Sequence, residues 1–132
     1  MQPLKQIAKC QVRLYKTLSA MMKFHHIGIP TNNKLRDEEH LKDLKMYVSG
    51  FGRSPYGVEW NRYEEDAPYP EIVKTIPHIA FEVDDLEEAI NGKNVIIEPN
   101  SPSPGVLVAF IEDNGAPIEF LQIDRSIAGD DV

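Results

Sequence analysis

The sequence predicts a mixed α+β fold made of two similar βαβββ-type modules whose sheets curve around a common cleft, with the first module shortened. Three observations carry this. His26-Ile27-Gly28-Ile29 superposes on His78-Ile79-Ala80-Phe81 at an offset of 52 residues, each reading histidine, apolar, small, apolar. Gly57-Val58-Glu59-Trp60 superposes on Pro117-Ile118-Glu119-Phe120 at an offset of 60, each ending apolar, glutamate, aromatic. Self-similarity at a fixed spacing marks repeated supersecondary units. Between these anchors the second half reads strand, helix, strand, strand, strand. The offsets differ by eight, so the first unit should lack about one short strand or a hairpin's worth of chain.

The boundaries place a basic extension at 1–22, module one at about 23–66 and module two at about 76–124, in a single domain spanning 23–132. In the extension, Leu4, Ile7, Ala8, Val12, Tyr15, Leu18 and Met22 recur at helical spacing between lysines and arginines, as in an amphipathic helix. Three readings compete: an organellar transit peptide, a surface-binding helix, or a segment without catalytic role, either a packing helix or an upstream extension with translation starting at Met21 or Met22. A secretory signal is not expected without an apolar core and a small-residue cleavage site.

In module one, Phe24 to Ile29 alternates as a strand and Pro30-Thr31-Asn32-Asn33 punctuates it. Leu35, Glu38 or Glu39, Leu41 and Leu44 give the face of a polar helix that fades towards Gly50 and Gly52. Met46 to Phe51 reads equally as the end of that helix or as a short strand. Tyr56 to Tyr63 is a strand and Glu64 to Pro70 a linker. In module two, Pro77 to Val83 is a strand, and Asp84 with Glu87 three residues on makes a capping box for a helix ended by Gly92. Val95 to Glu98, Gly105 to Ile111 and Pro117 to Ile123 are strands, the last two joined by a turn containing Asn114-Gly115.

Composition narrows the function. A chain of 132 residues, 42% hydrophobic and 27% charged, is long enough to bury roughly two thirds of its unfolded surface. No apolar run of eighteen residues exists, which excludes a helical membrane span. Cys10 is the only cysteine, so neither an internal disulfide nor a cysteine-rich zinc site is available, and a reducing, cytoplasmic setting fits. The net charge of −7 is uneven: residues 1–36 hold seven of the fourteen basic side chains and no acid, leaving −14 on the remainder. Such a body repels phosphate backbones, which argues against nucleic acid and favours a small-molecule substrate or a cation.

The chemistry lies in the repeat. Strand side chains alternate between faces, so His26 shares a face with Gly28 and His78 with Ala80, and small neighbours leave room above each imidazole. Ile27, Ile29, Ile79 and Phe81 take the opposite face, for the helix of each unit to cover. Glu59 and Glu119 sit between residues that belong in core. Two histidines and two glutamates can then converge, and imidazole with carboxylate suits zinc, nickel, iron(II), cobalt or manganese. By alternation His25 falls on the core side as a structural residue, and His40 is a solvated residue of the polar helix.

These motifs resemble the vicinal oxygen chelate superfamily, which includes glyoxalase I, methylmalonyl-CoA epimerase, fosfomycin-resistance enzymes, extradiol dioxygenases and bleomycin-resistance proteins. The likeness covers Lys23 to Asp124 and is clearest at His78 to Leu86 and Ala116 to Leu121. It implies a divalent metal held by His26, Glu59, His78 and Glu119, a small oxygen-rich substrate, a homodimer, and isomerase, lyase or epimerase chemistry with Glu119 or Glu59 as base. Two alternatives stand beside it. An extradiol dioxygenase would use His26, His78 and Glu119, with Glu59 turned away. A metal-free, drug-sequestering module would line its cleft with Trp60 and nearby tyrosines, although Trp60 also reads as core.

Overall fold

A computed structural model describes residues 22–132. The expected basic extension therefore lies, but for Met22, outside the described residues. Module one supplies β1 (Met22–Pro30), β2 (Glu39–Leu41), β3 (Met46–Ser49) and β4 (Val58–Tyr63). Module two supplies β5 (His78–Val83), β6 (Asn94–Ser103), β7 (Val106–Asp113) and β8 (Ala116–Ile123). The short helices are α1 (Glu71–Thr75), α2 (Leu86–Ile90) and α3 (Arg125–Ala128), with one 3-10 turn at Lys42–Leu44.

All eight strands form one sheet in the order β2-β3-β4-β1-β5-β8-β7-β6. In each module the first strand runs parallel to the last, β1 with β4 and β5 with β8. The modules meet where β1 pairs antiparallel with β5. The sequence repeat is thus a pseudo-twofold symmetry of the sheet. Leu41 on one edge strand and Ile97 and Asn100 on the other line the same cavity, so the sheet curls into a half-barrel around it. This is the α+β arrangement that the repeat predicts.

The two sides of the sheet are packed differently. On the outer side α2 lays Leu86 onto Val83, Ala109, Ile111 and Phe120. On the inner side Ala80, Val106, Val108 and Leu121 pack together, joined by Ile123, Ala128 and Val132. Among the described residues no helix is long and apolar enough to cross a membrane.

Several local expectations need correction. Module one keeps all four strands; what it lacks is the helix after the first strand, and its β2 and β3 are far shorter than β6 and β7. The eight-residue change of offset falls there, ahead of the third strand. The polar helix over 35–44 does not form: Leu41 pairs with Met46 in a β2–β3 hairpin, whose turn holds Lys45 at φ 51°. Sheet pairing has overridden a helical spacing, as tertiary context commonly does. It also resolves 46–49 as strand. In module two the helix cap is Asp85 rather than Asp84, its carboxylate accepting from the Glu88 amide at 3.1 Å. The helices α1 and α3, each under two turns, are too short to show periodicity and were not expected.

Candidate metal centre

Two rows of residues running across the strands build the site. One passes from His26 on β1 through Ala80 on β5 to Glu119 on β8. The other passes from Glu59 on β4 through Gly28 on β1 to His78 on β5. The pseudo-twofold exchanges the rows, with a small residue at the middle of each. At Gly28 the reason is steric: a Cβ there would lie 2.0 Å from Cε1 of His78, so the imidazole occupies the space that any side chain would take.

His26, His78 and Glu119 are only 4%, 3% and 8% exposed. Oε2 of Glu119 lies 3.1 Å from Nε2 of His78 and 3.4 Å from Nε2 of His26. The two rings stand edge to face with centroids 5.6 Å apart. Burial alone would raise the Glu119 carboxyl, but hydrogen bonds and charge from both histidines outweigh it and hold the group down at about 2. Burial alone would lower His26; its hydrogen bond to Glu119, aided by the charges of Glu119 and Glu59, outweighs that and raises it. The centre is an electrostatically coupled histidine-carboxylate cluster.

The donor set fits a divalent ion. One donor atom from each of the three residues lies within 4.8 Å of the others. Bonds of about 2.1 Å allow two donors of one ion to sit up to roughly 4.2 Å apart, so the observed 3.1 and 3.4 Å lie inside that reach. Glu59 lines the same cavity but stands outside this trio, its Oε1 accepting from Nδ2 of Asn61 at 2.9 Å. The cavity, about 300 Å³, is walled by apolar side chains including Met46, Val48, Phe51, Val106, Val108 and Leu121.

His25 departs from its expected place. A bulge between Phe24 and His26 breaks the alternation of β1, so His25 lines the cavity beside His26 instead of facing the outer core. Burial, then the charge of His26, lowers its pKa. Trp60 lies on the outer side of β4, 38% exposed, and is neither cleft wall nor core; Tyr63 and Tyr69 are the tyrosines that line the cavity. His40 is on strand β2, stacked on Tyr47 and bonded to Glu64 at 2.8 Å, because the helix expected to carry it is a hairpin. Asn61, 1% exposed with Oδ1 unpartnered, was missed. The repeat held a signal for it, since Asn61 occupies the position of Leu121 in module two.

No protein-family profile and no curated protein matches the chain. Solved structures do. The chain is similar to hypothetical protein BH1468 from Bacillus halodurans C-125, at 26% identity and a TM-score of 0.58, over 78% of this chain and 95% of that one. It is also similar to methylmalonyl-CoA epimerase from Mycobacterium tuberculosis, at 16% identity and a TM-score of 0.54, over 77% of this chain and 88% of that one. The second likeness is one of fold, and the fold it shares is the one that the repeat builds.

Proposed function

We propose that the chain is a glyoxalase-like, divalent-metal enzyme of the vicinal oxygen chelate superfamily that removes a proton next to a carbonyl of a small oxygen-rich substrate. The chemistry would be of the isomerase, lyase or epimerase type. The observation that carries this is the buried convergence of His26, His78 and Glu119 at matched positions of an internal repeat, opening onto an apolar cavity. The epimerase fold-likeness adds support. A bound zinc, nickel, iron(II), cobalt or manganese ion would supply Lewis-acid stabilisation of negative charge developing on a substrate oxygen.

His26, His78 and Glu119 would hold the ion. Glu59, in the same cavity but outside the trio, is the carboxylate left free to take the proton. Asn61 fixes its direction. The Tyr63 phenol, pushed up by burial and the charge of Glu119, stays protonated and able to donate a hydrogen bond. The apolar wall limits water at the reacting carbon. The resemblance further implies a homodimer, and the single cysteine a cytoplasmic setting, which light scattering and fractionation would test.

One observation favours a second reading. With Glu59 outside the trio, two histidines and one carboxylate remain, the set that an extradiol-type iron(II) dioxygenase requires.

Metal analysis of the purified chain beside His78→Ala tests the centre: about one ion per chain is expected in the first and little in the second. A wild-type chain with no affinity for any of the five ions would overturn the proposal and leave a metal-free binding pocket. The reaction class is tested by incubating the loaded chain in D2O with small ketones and thioesters. Deuterium entering next to the carbonyl, and lost in Glu59→Gln at unchanged metal content, supports the proposal. Oxygen uptake with a catechol by the iron(II)-loaded chain selects the second reading.

A further inference from the structure

The trio leaves one half-buried imidazole of the cavity, His25, without a role. Nδ1 of His25 lies 2.7 Å from Nδ1 of His26, and the opposite nitrogen of His26, Nε2, is the one that faces Glu119. The His25 ring is itself fixed, stacked on Phe51 with centroids 4.9 Å apart and planes 10° from parallel. We propose that His25 is a positioning residue, which orients His26 and sets its tautomer so that Nε2 is presented to a metal ion; this rests on the metal reading above.

A neutral imidazole has one donor nitrogen and one acceptor nitrogen. A ligating Nε2 must offer its lone pair, so the His26 proton sits on Nδ1 and donates to Nδ1 of His25. The His25 proton then belongs on Nε2, which is buried without a hydrogen-bond partner among the described residues. The bulge in β1 is what makes the pairing possible, since regular alternation would send the two rings to opposite faces.

The symmetry-related position shows that the device is specific to one ligand. Module two has Pro77 where module one has His25, and Nδ1 of His78 is buried without a partner. His78 is placed by packing instead, with its ring over Gly28 and edge to face with Phe110 at 5.0 Å. Partners that hold the far nitrogen of a ligating histidine commonly contribute 10- to 100-fold in metal affinity.

The test uses the full chain, with Zn2+ titrated against a chromophoric chelator and NMR of the 15N-labelled protein. His25→Phe keeps a ring against Phe51 but removes the acceptor; Zn2+ binding should weaken by roughly 10- to 100-fold. His25→Asn brings an amide oxygen close to the place of Nδ1 and should retain most of the affinity. A scalar coupling between the two Nδ1 atoms should be seen in the wild type and be absent in His25→Phe, with the amide signals of β6 to β8 unmoved. Unchanged Zn2+ binding by His25→Phe, equal losses in both variants, or no coupling in the wild type would overturn the proposal. Should His25→Phe fail to fold, His25→Asn and the wild-type coupling decide it. A wild type that shows the coupling but binds no Zn2+ removes the metal role, and identifies the metal reading as what failed.

Discussion

The outer faces of the two modules carry matching residues in different surroundings. Phe120 on β8 is 5% exposed beneath α2, whereas Trp60, its counterpart on β4, is 38% exposed. Ile118 packs against the module-two core that α2 completes, whereas among the described residues no helix follows β1 to cover its counterpart Val58. A sheet needs one apolar face covered to fold and need not have the other covered. Module two covers its outer face locally. Among the described residues, module one leaves its own open and is held by the inner side and by the β1–β5 seam. The inner face, where both modules meet, is the half of the symmetry that survives, and it is the half that carries the cluster.

The comparison predicts unequal responses to matched substitutions. Phe120→Ala should destabilise the chain by about 3–5 kcal/mol, as expected for truncating a core aromatic. Trp60→Ala should cost under about 1 kcal/mol, as at an open surface. Urea denaturation of the pair checks this, and equal losses would mean that the outer face of module one is covered after all. At the seam, Gly28→Ala sets a methyl against the ring of His78, where overpacking costs about 1–3 kcal/mol, and displaces that imidazole from Glu119. Ala80→Gly, at the matched position, should cost about 0.5–1 kcal/mol and leave Zn2+ affinity nearly unchanged.

Two smaller effects sharpen the contrast between the rows. In the metal-free chain the folded Glu119 carboxyl sits at about 2, below its ordinary 4.5, so its contribution is full above pH 4.5 and fades as the pH falls towards 2. His26 is raised above its ordinary 6.5, so its contribution is present below pH 6.5 and is lost as the pH rises through its folded value. Stability of the metal-free chain should therefore peak between about pH 4.5 and 6.5, with metal ion removing the decline on the alkaline side; melting temperatures across pH, with and without Zn2+, read it. Smallest in stability is Asn61→Leu, which installs the module-two residue and removes a buried unpartnered oxygen. It should change stability by no more than about 1 kcal/mol. It should nevertheless release Glu59, so turnover falls while metal content holds.

Much of this architecture is legible in the sequence. The two offsets predict the symmetry, and alternation from His26 and His78 to their small neighbours predicts the shared face. These features are periodic and local, and a strand cannot change its period without losing its core. The hairpin at 39–49 was not legible, because Leu41 and Leu44 satisfy a helical spacing and only pairing with Met46 decides against it. Neither was the fate of His25: one bulged residue reverses which face a side chain takes, and a bulge leaves no mark in a His-His pair. The sequence by itself determined which residues repeat, and hence which strands and histidines are equivalent. Tertiary structure alone decided that β1 and β5 meet as neighbours, that Glu119 rather than Glu59 stands between the two imidazoles, and that His25 turns inward. Those outcomes depend on strand order, seam register and curl, which are set by contacts between residues far apart in the chain.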